Sequence, residues 1–320
     1  MSNKATRDAF GDTLLELGAQ NKNLVVVDCD LAGATKAEKF RAAYPDRFFQ
    51  FGIQEANAIG AAAGLAVSGF RPFISSFACF ITGRYDQIRI SVADNNAPVV
   101  IVGTHGGLAI GKDGATQMGL EDINLMRGLP NMVVIQPADY PETVQAVRYL
   151  AHANFPAFLR LCRQPVPNVN EDDYVFEFGK GVMLKDGNDL AIFATGGMVY
   201  IAKEVADELA ATKGIDARVV NIHTIKPIDR EIIIKSALET KGLFTLEDHN
   251  IIGGLGTSVS EVVAEAGVPI KIKRWGVKDF FGESGDPADL YKKHEMDKES
   301  LIRNVSNFYN EVTSERARLS

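Results

Sequence analysis

The stretch FFQFGIQEANAIGAAAGLAVSG, residues Phe48–Gly69, combines one acid with a helical run of very small side chains. Glu55 is the only charged residue between Arg47 and Arg71. Because alanine and glycine let another backbone approach closely, the pattern predicts a helix that is buried or lies at a subunit interface. The uncharged run is too short and too weakly apolar to span a bilayer.

Glu55 stands at the predicted start of this helix, and the residue type alone leaves two interpretations open. In the first, the acid satisfies free backbone amides at the helix N-terminus. In the second, it is a functional acid, whose anion the helix stabilises while burial favours the protonated form. The residues that surround the stretch favour the second interpretation.

Composition and charge exclude several classes of protein. The net charge of −7 comes from acids and bases that are interspersed without a basic stripe, so a nucleic acid partner is not expected. The three cysteines, Cys29, Cys79 and Cys162, are odd in number and widely spaced, which argues against a disulfide framework or a metal site. No apolar signal region or membrane-length run is visible, so we expect a cytoplasmic protein with no membrane partner.

Short apolar strands alternate with helical patterns along most of the chain. LVVVD at Leu24–Asp28 is typical of a buried strand, and Thr35–Tyr44 of a helix. A second helix is expected from Phe80 to about Ala93. This alternation predicts an α/β fold in which mostly parallel sheets are flanked by helices.

Two such patterns are separated by RQPVPNVNEDDYVFEFGKG, which carries prolines and acids without a helical period. Stretches of this composition often join domains. We therefore expect a first domain at residues 1–165, a linker at 166–185 and a second domain at 186–320.

The glycine-rich loop, residues 103–119, follows a predicted parallel strand and is not a nucleotide-binding motif, because Lys112 is followed by Asp113. Loops at the carboxyl ends of parallel strands are where α/β proteins bind ligands. Other polar and aromatic residues should project from the same edge of the sheet: Asp28, Asp30, Glu55, Phe77, Phe80 and Arg163. Their convergence predicts a ligand site at this edge.

Several segments, taken in order, resemble the transketolase family: DCDLAGAT, RFFQFGIQEANAIGAAAGLA, RPFISSFACF, GTHGGLAIGKDGAT, EDINLMRGLPNMVVIQPAD and LRLCRQPVP. The resemblance covers nearly the whole chain and is closest to the C-terminal subunit of a transketolase divided between two polypeptides. It implies a pyrimidine-binding domain of a thiamine diphosphate enzyme followed by a transketolase C-terminal domain.

The family's GDG…N signature for the diphosphate and its metal has no counterpart in this chain. The resemblance therefore implies an N-terminal partner subunit that shares the thiamine diphosphate and binds Mg²⁺ or Ca²⁺. No metal ligand is predicted in this chain. We also expect the chain to self-associate through the helix rich in alanine and glycine, and to form a heterotetramer with the partner.

The resemblance assigns the cofactor-binding residues: Asp30, Leu31, Glu55, Phe77 and Phe80. Glu55 matches the catalytic acid that hydrogen-bonds to the pyrimidine ring nitrogen and favours the imino form of the cofactor. Phe77 and Phe80 match aromatics that pack on that ring, although without the resemblance they are equally typical of a core. The family's third aromatic position is Gly83 here, so that wall is either open or filled by Tyr85.

The resemblance also assigns the substrate-binding residues: Arg7, Thr35, His105, Asp113, Gln117 and Arg163. Arg7, His105 and Arg163 match positions that hold the substrate phosphate, which suits the planar guanidinium. Thr35 takes the place of a family serine on that phosphate, and Asp113 matches the acceptor of a substrate hydroxyl. Gln117 stands where most of the family has histidine, and it can hydrogen-bond but cannot titrate.

The resemblance thus implies transfer of a two-carbon ketol unit from a ketose phosphate to an aldose phosphate. Gln117 leaves open whether the substrate is an ordinary or an unusual ketose. Two other functions stay open: a subunit of a deoxyxylulose-phosphate synthase or 2-oxoacid dehydrogenase, and a non-catalytic regulatory partner. Four polar residues of the second half are expected to be structural or interface groups: His223, Glu247, Asp248 and His249.

Overall fold

The computed structural model describes residues 3–171 and 173–319. Residues 1, 2, 172 and 320, which the predicted domains and linker include, lie outside the described residues. Within those two ranges the strands form sheets of seven, five and two strands, flanked by helices. No helix in this part of the chain is long and apolar enough to cross a membrane. The predicted α/β class is confirmed.

Within the described residues, seven of the fourteen strands are buried at every residue. The strands run in chain order: β1 Lys4–Ala5, β2 Leu24–Asp28, β3 Phe48–Gln50, β4 Arg71–Phe77, β5 Val100–Thr104, β6 Val133–Ile135, β7 Ala157–Arg160, β8 Pro165–Val166, β9 Val182–Lys185, β10 Leu190–Ala194, β11 Ala217–Asn221, β12 Thr224–Lys226, β13 Leu243–Asn250 and β14 Ile272–Val277.

The first sheet has the order β12-β6-β7-β5-β4-β2-β3. Its neighbours are parallel except β12, which pairs antiparallel with β6. Strands β2, β4 and β5 are buried at every residue, as expected for a parallel sheet covered on both faces. The edge strand β12 comes from the second half of the chain, so the two halves share this sheet.

The second sheet has the order β14-β13-β10-β11-β9, in which β9 alone is antiparallel to its neighbour. Strand β9 falls in the last part of the predicted linker. Its four residues are half-buried and pair at the sheet edge, where a non-periodic sequence gives no clear strand signal. The predicted domain limits otherwise stay a prediction.

The helices lie between and around the two larger sheets. They run in chain order: α1 Thr6–Gln20, α2 Ala32–Thr35, α3 Glu38–Ala43, α4 Glu55–Val67, α5 Ala78–Thr82, α6 Tyr85–Gln87, α7 Asp122–Arg127, α8 Tyr140–His152, α9 Met198–Lys213, α10 Arg230–Glu239, α11 Leu255–Ala266, α12 Pro287–Lys293 and α13 Lys298–Leu319. Short 3₁₀ turns occur at Pro45–Arg47, Leu108–Asp113 and Ala115–Gln117, and a π-helical segment at Ile88–Asp94.

Two helix predictions were wrong in detail. The expected helix at Thr35–Tyr44 is divided into α2 and α3 by Lys36, whose φ is 72°. Helix α1 approaches closely there, because a Cβ on Gly11 would lie 2.6 Å from the Lys36 Cβ. The helix expected after Phe80 ends at Thr82, since Gly83 closes α5 and has low helix propensity, and helical turns resume at Tyr85.

The sheet of the first domain has a core on each face. Helix α4 packs its alanines, including Ala58 and Ala62, against Ile74 of β4. Helices α1 and α8 cover the other face. A third cluster joins residues of both domains, among them Met118 of the glycine-rich loop and Met198 of α9. The second domain therefore packs directly on the loop that follows β5.

Candidate active site

The predicted ligand site lies at the carboxyl ends of the parallel strands of the first sheet. Strand β4 ends at Phe77 and β5 at Thr104, and these parallel neighbours carry their next residues to the same edge. Helix α4 begins at Glu55, close to β4, with which it packs. The glycine-rich loop starts immediately after β5. The topology thus brings the predicted cofactor and substrate residues to one edge.

Glu55 is the first residue of α4, and its side chain is 4% exposed. Ser76 of β4 donates a hydrogen bond to Glu55 Oε1 at 3.2 Å. Within the described residues, Oε2 receives no hydrogen bond. The carboxyl group is therefore tied to the sheet edge and not to the amides of α4, and the capping interpretation does not describe this geometry.

Aromatic rings form a continuous stack beside Glu55. The Phe77 and Phe80 ring centroids are 5.4 Å apart with an interplanar angle of 13°. The His105 ring also stacks with Phe77, with the centroids 3.9 Å apart and an interplanar angle of 27°. Tyr85 packs instead against the core cluster beneath α4, so it does not extend this stack. The rings present a flat surface that suits a planar ligand.

His105 is held in one protonation state by its two neighbours. Arg7 Nη1 lies 2.8 Å from His105 Nε2, and Thr104 Oγ1 lies 2.8 Å from Nδ1. Because a guanidinium can only donate, Nε2 accepts and the ring is neutral, with its proton on Nδ1. Burial lowers the pKa of His105 to about 3, helped by the positive charges of Arg7 and Arg163. His105 therefore acts as a fixed hydrogen-bonding group.

Arg7 and Arg163 make this corner of the site positive. Arg7 Nη1 donates to Ala34 O at 3.0 Å, while its Nε is buried without a hydrogen-bond partner in the described residues. Burial lowers the pKa of Arg7. Arg163 Nη1 pairs with Asp113 Oδ2 at 2.9 Å, and both side chains are partly exposed. The half-buried Arg7 also keeps its Nη2 without a hydrogen bond in the described residues, and a guanidinium of this kind near a second one is suited to bind an anion.

The segment after β2 is organised by Asp28. The Asp28 carboxylate accepts hydrogen bonds from Gln50 Nε2 at 2.8 Å and from the Leu31 amide at 3.0 Å. Burial raises the pKa of Asp28. Asp30 follows with a φ of 63°, and its amide donates to Gln50 Oε1 at 2.9 Å. Asp28 thus positions the Asp30–Leu31 turn at the edge of the site.

Two predicted substrate residues, Thr35 and Gln117, are less clearly placed to contact a substrate than the others. The Thr35 hydroxyl is buried, donates to Leu31 O at 3.1 Å and accepts from Ser75. In this structure it does not reach the surface of the site, so it lacks the access that a phosphate ligand requires. Gln117 ends the 3₁₀ turn Ala115–Gln117 and is half-buried, with no side-chain hydrogen bond in the described residues.

Sequence reasoning missed a buried ionic group beneath the glycine-rich loop. Arg160 is 2% exposed and donates from Nε to Asp122 Oδ2 at 2.6 Å, and from Nη2 to Gly119 O at 2.8 Å and Asp248 O at 3.0 Å. A charged residue inside the apolar strand AFLRL was the available signal. The group links the two domains.

The polar residues of the second half have structural roles, as expected. Glu247 accepts from the amides of Leu255 and Gly256 at the start of α11. Asp248 accepts from the Leu108 amide at 2.8 Å. The remaining two are buried histidines, His223 and His249, whose pKa values burial lowers to about 4.

Comparison with known proteins identifies this arrangement. Residues 2–168 match the family model of the transketolase pyrimidine binding domain, and residues 179–301 match that of the transketolase C-terminal domain. A Methanocaldococcus jannaschii protein named as a transketolase C-terminal section is 45% identical over 305 residues, covering 94% of this chain and 95% of that protein. A 6-deoxy-6-sulfo-D-fructose transketolase subunit of Clostridium sp. is 37% identical, covering 93% of this chain and 92% of that subunit.

Among solved structures, a split-gene transketolase described as an inactive β4 tetramer is 41% identical, with a TM-score of 0.86. It covers 96% of this chain and 98% of that one. These similarities extend over both domains and over the edge of the sheet where Glu55 and the stacked rings lie. The chain belongs to the transketolase family and corresponds to its pyrimidine-binding and C-terminal domains.

Proposed function

We propose that this chain is the C-terminal subunit of a two-chain transketolase, which transfers a two-carbon ketol unit from a ketose phosphate to an aldose phosphate. The observation that carries the proposal is the placement of Glu55, the stacked rings and the Arg7–His105 pair at one sheet edge. An acid beside a flat apolar wall suits a cofactor ring, and the positive corner suits a phosphate.

The site fits thiamine diphosphate on two counts. The half-buried Phe80 ring, stacked with the buried Phe77 ring, offers a flat surface for its pyrimidine, and Glu55 keeps Oε2 free of protein partners in the described residues. Asp30 and Leu31 would lie beside the cofactor, on the turn that Asp28 positions. When bound, the cofactor supplies the carbanion that attacks the ketose carbonyl and then stores the electron pair.

The residues of this chain would bind, orient and exclude water. Glu55 would hold a proton in a hydrogen bond toward the pyrimidine nitrogen, strengthened by its burial. Arg7 and Arg163 would bind the sugar phosphate. Neutral His105 would orient Arg7, because its Nε2 accepts from Arg7 while its Nδ1 donates to Thr104. Asp113 would accept from a substrate hydroxyl once its pairing with Arg163 rearranges.

The other half of the cofactor site would come from an N-terminal subunit, which would bind the diphosphate and Mg²⁺ or Ca²⁺. Self-association would use α4 and its surroundings, where Ile53 is 77% and Val67 76% exposed. The β4 tetramer of a similar split-gene protein supports such self-association. With the partner, the expected assembly is a heterotetramer in the cytoplasm.

Gln117 supports a substrate that differs from the common pentose and hexose phosphates. A similar subunit is named for a sulfonated fructose, which shows that relatives of this length serve unusual ketoses. Met118 follows Gln117, is buried, and provides an adaptable apolar wall behind it.

Reconstitution tests the proposal. The chain would be mixed with the N-terminal subunit, thiamine diphosphate, Mg²⁺, a ketose phosphate and an aldose phosphate, and each component would be omitted in turn. We expect ketol transfer only from the complete mixture. Transfer by this chain alone would contradict the two-chain reading, and use of a 2-oxoacid as donor would indicate a synthase or dehydrogenase instead. Full activity of the N-terminal subunit alone would indicate a regulatory partner.

A further inference from the structure

The glycine-rich loop contacts the second domain at each of its glycines with positive φ. Gly107, Gly111 and Gly114 have φ values of 90°, 78° and 84°. A Cβ on Gly107 would lie 2.1 Å from Asp248 Oδ2, and one on Gly111 2.9 Å from Pro287 Cγ. A Cβ on Gly114 would lie 3.5 Å from Ser284 Cβ. The loop therefore follows the surface of the second domain along its length.

The base of the loop is held by a buried carboxylate. Asp248 Oδ1 accepts from the Leu108 amide at 2.8 Å, and Oδ2 accepts from the Ala109 amide at 3.4 Å. The Tyr291 hydroxyl donates to Asp248 Oδ2 at 2.8 Å, which fixes the carboxylate in this orientation. Asp248, which bonds to the loop, and Tyr291, which orients Asp248, both belong to the second domain, so the position of the loop at its base depends on that domain.

The tip of the loop is held by the segment before α12. The Ser284 hydroxyl donates to Lys112 O at 2.6 Å, directly before Asp113. Gly282 lies against Met118, since a Cβ there would be 2.2 Å from Met118 Sδ. The second domain therefore contacts the residue before Asp113 and the residue after Gln117.

We propose that Ser284 and Gly282, with Asp248 at the base, are positioning residues that set where Asp113 and Gln117 lie relative to the substrate. This gives the second domain a defined part in substrate selection. The kinetic part of the proposal rests on the proposed function. The structural part does not, because it concerns the loop of the isolated chain.

The first test is hydrogen exchange of peptides covering residues 108–118 in the complete chain. Ser284→Ala should increase exchange there about threefold to tenfold, the ratio that corresponds to one net hydrogen bond. Ser284→Thr, which keeps the hydroxyl, should restore protection. Ser260→Ala is the matched control, because Ser260 makes a similar bond to Gly256 O in α11. Unchanged exchange in Ser284→Ala would overturn the proposal.

The second test is a double-mutant cycle in the reconstituted enzyme. Ser284→Ala should raise the KM of the ketose about threefold to tenfold and leave kcat within twofold, because it weakens uniform binding. In an Asp113→Asn background the same change should have little further effect. Gly282→Ala, which displaces Met118, should change the ranking of ketoses. Additive effects of Ser284 and Asp113, or an unchanged ranking, would refute the positioning role.

The outcomes separate this proposal from the proposed function. If the reconstituted wild type transfers no ketol unit while exchange still responds to Ser284, the proposed function fails and the loop positioning stands. If transfer occurs but neither the hydrogen exchange of the loop nor the KM of the ketose changes in Ser284→Ala, the positioning proposal alone fails.

Discussion

Replacing Arg7 by methionine should weaken binding of phosphorylated sugars selectively. Arg7 is half-buried, and its Nη2 makes no hydrogen bond within the described residues, so this group is available to an anion that enters beside His105. A hydrogen bond to a charged group contributes roughly 1.5–3 kcal/mol, which corresponds to a factor of about 10 to 150 in binding. We therefore expect the KM of a ketose phosphate to rise about tenfold to hundredfold, with kcat changed much less.

The assay compares a ketose phosphate with its unphosphorylated analogue in the reconstituted enzyme. Arg148→Met is the control, because Arg148 lies on α8 and pairs with Glu16 in an exposed ion pair. The KM of the unphosphorylated sugar should be nearly the same in the wild type and in Arg7→Met. An equal loss for both sugars would refute the phosphate role and indicate that Arg7 supports the site structurally through His105 and Ala34.

Three further predictions concern specificity, stability and pH. Gln117→His, alone or with Met118→Gln, should raise activity on common sugar phosphates and lower it on the true substrate. If the wild type and the variant rank a panel of ketose phosphates in the same order, the proposal of a specialised ketose is wrong. Asp122→Asn should lower the free energy of unfolding by roughly 3–5 kcal/mol, measured with urea, because it leaves the buried Arg160 without its partner charge. Burial raises the pKa of Glu142 to about 7, so the folded state keeps a proton that the unfolded chain releases near the ordinary value of 4.5. Its contribution to stability therefore falls as pH rises between those values, by about 1.4 kcal/mol per pH unit. Glu142→Gln should remove that slope, and an identical pH dependence in both proteins would contradict it.

Features that depend on neighbours in the sequence could be predicted. The runs LVVVD and RPFISSF are buried strands because, apart from Asp28 and Arg71 at their ends, their side chains are apolar or small, as in a parallel sheet that is covered on both faces. Burial of Glu55 followed from its place in an otherwise uncharged stretch. The convergence of strand ends at one edge followed from the parallel order. The roles of the individual site residues stay predictions, because no ligand contact is present to test them.

Features that depend on distant parts of the chain could not be predicted. The break at Lys36 comes from the approach of α1 at Gly11, which no local pattern indicates. Strand β12 joins the first sheet from the second half of the chain. Asp248 reaches the Leu108 amide across 140 positions of sequence. The first contact forms when the first domain folds and the other two when the two domains pack, and single residue types carry no sign of them.

The central claim is that this chain supplies the catalytic acid of a shared thiamine diphosphate site. The most direct measurement is kcat of Glu55→Gln, reconstituted with the N-terminal subunit, against the wild type. The substitution keeps the size of the side chain and an acceptor for Ser76, but removes the titratable group. We expect kcat to fall at least about 100-fold, the scale of lost acid–base assistance, with an unchanged fold and assembly. Near-normal turnover by a correctly assembled variant would contradict it.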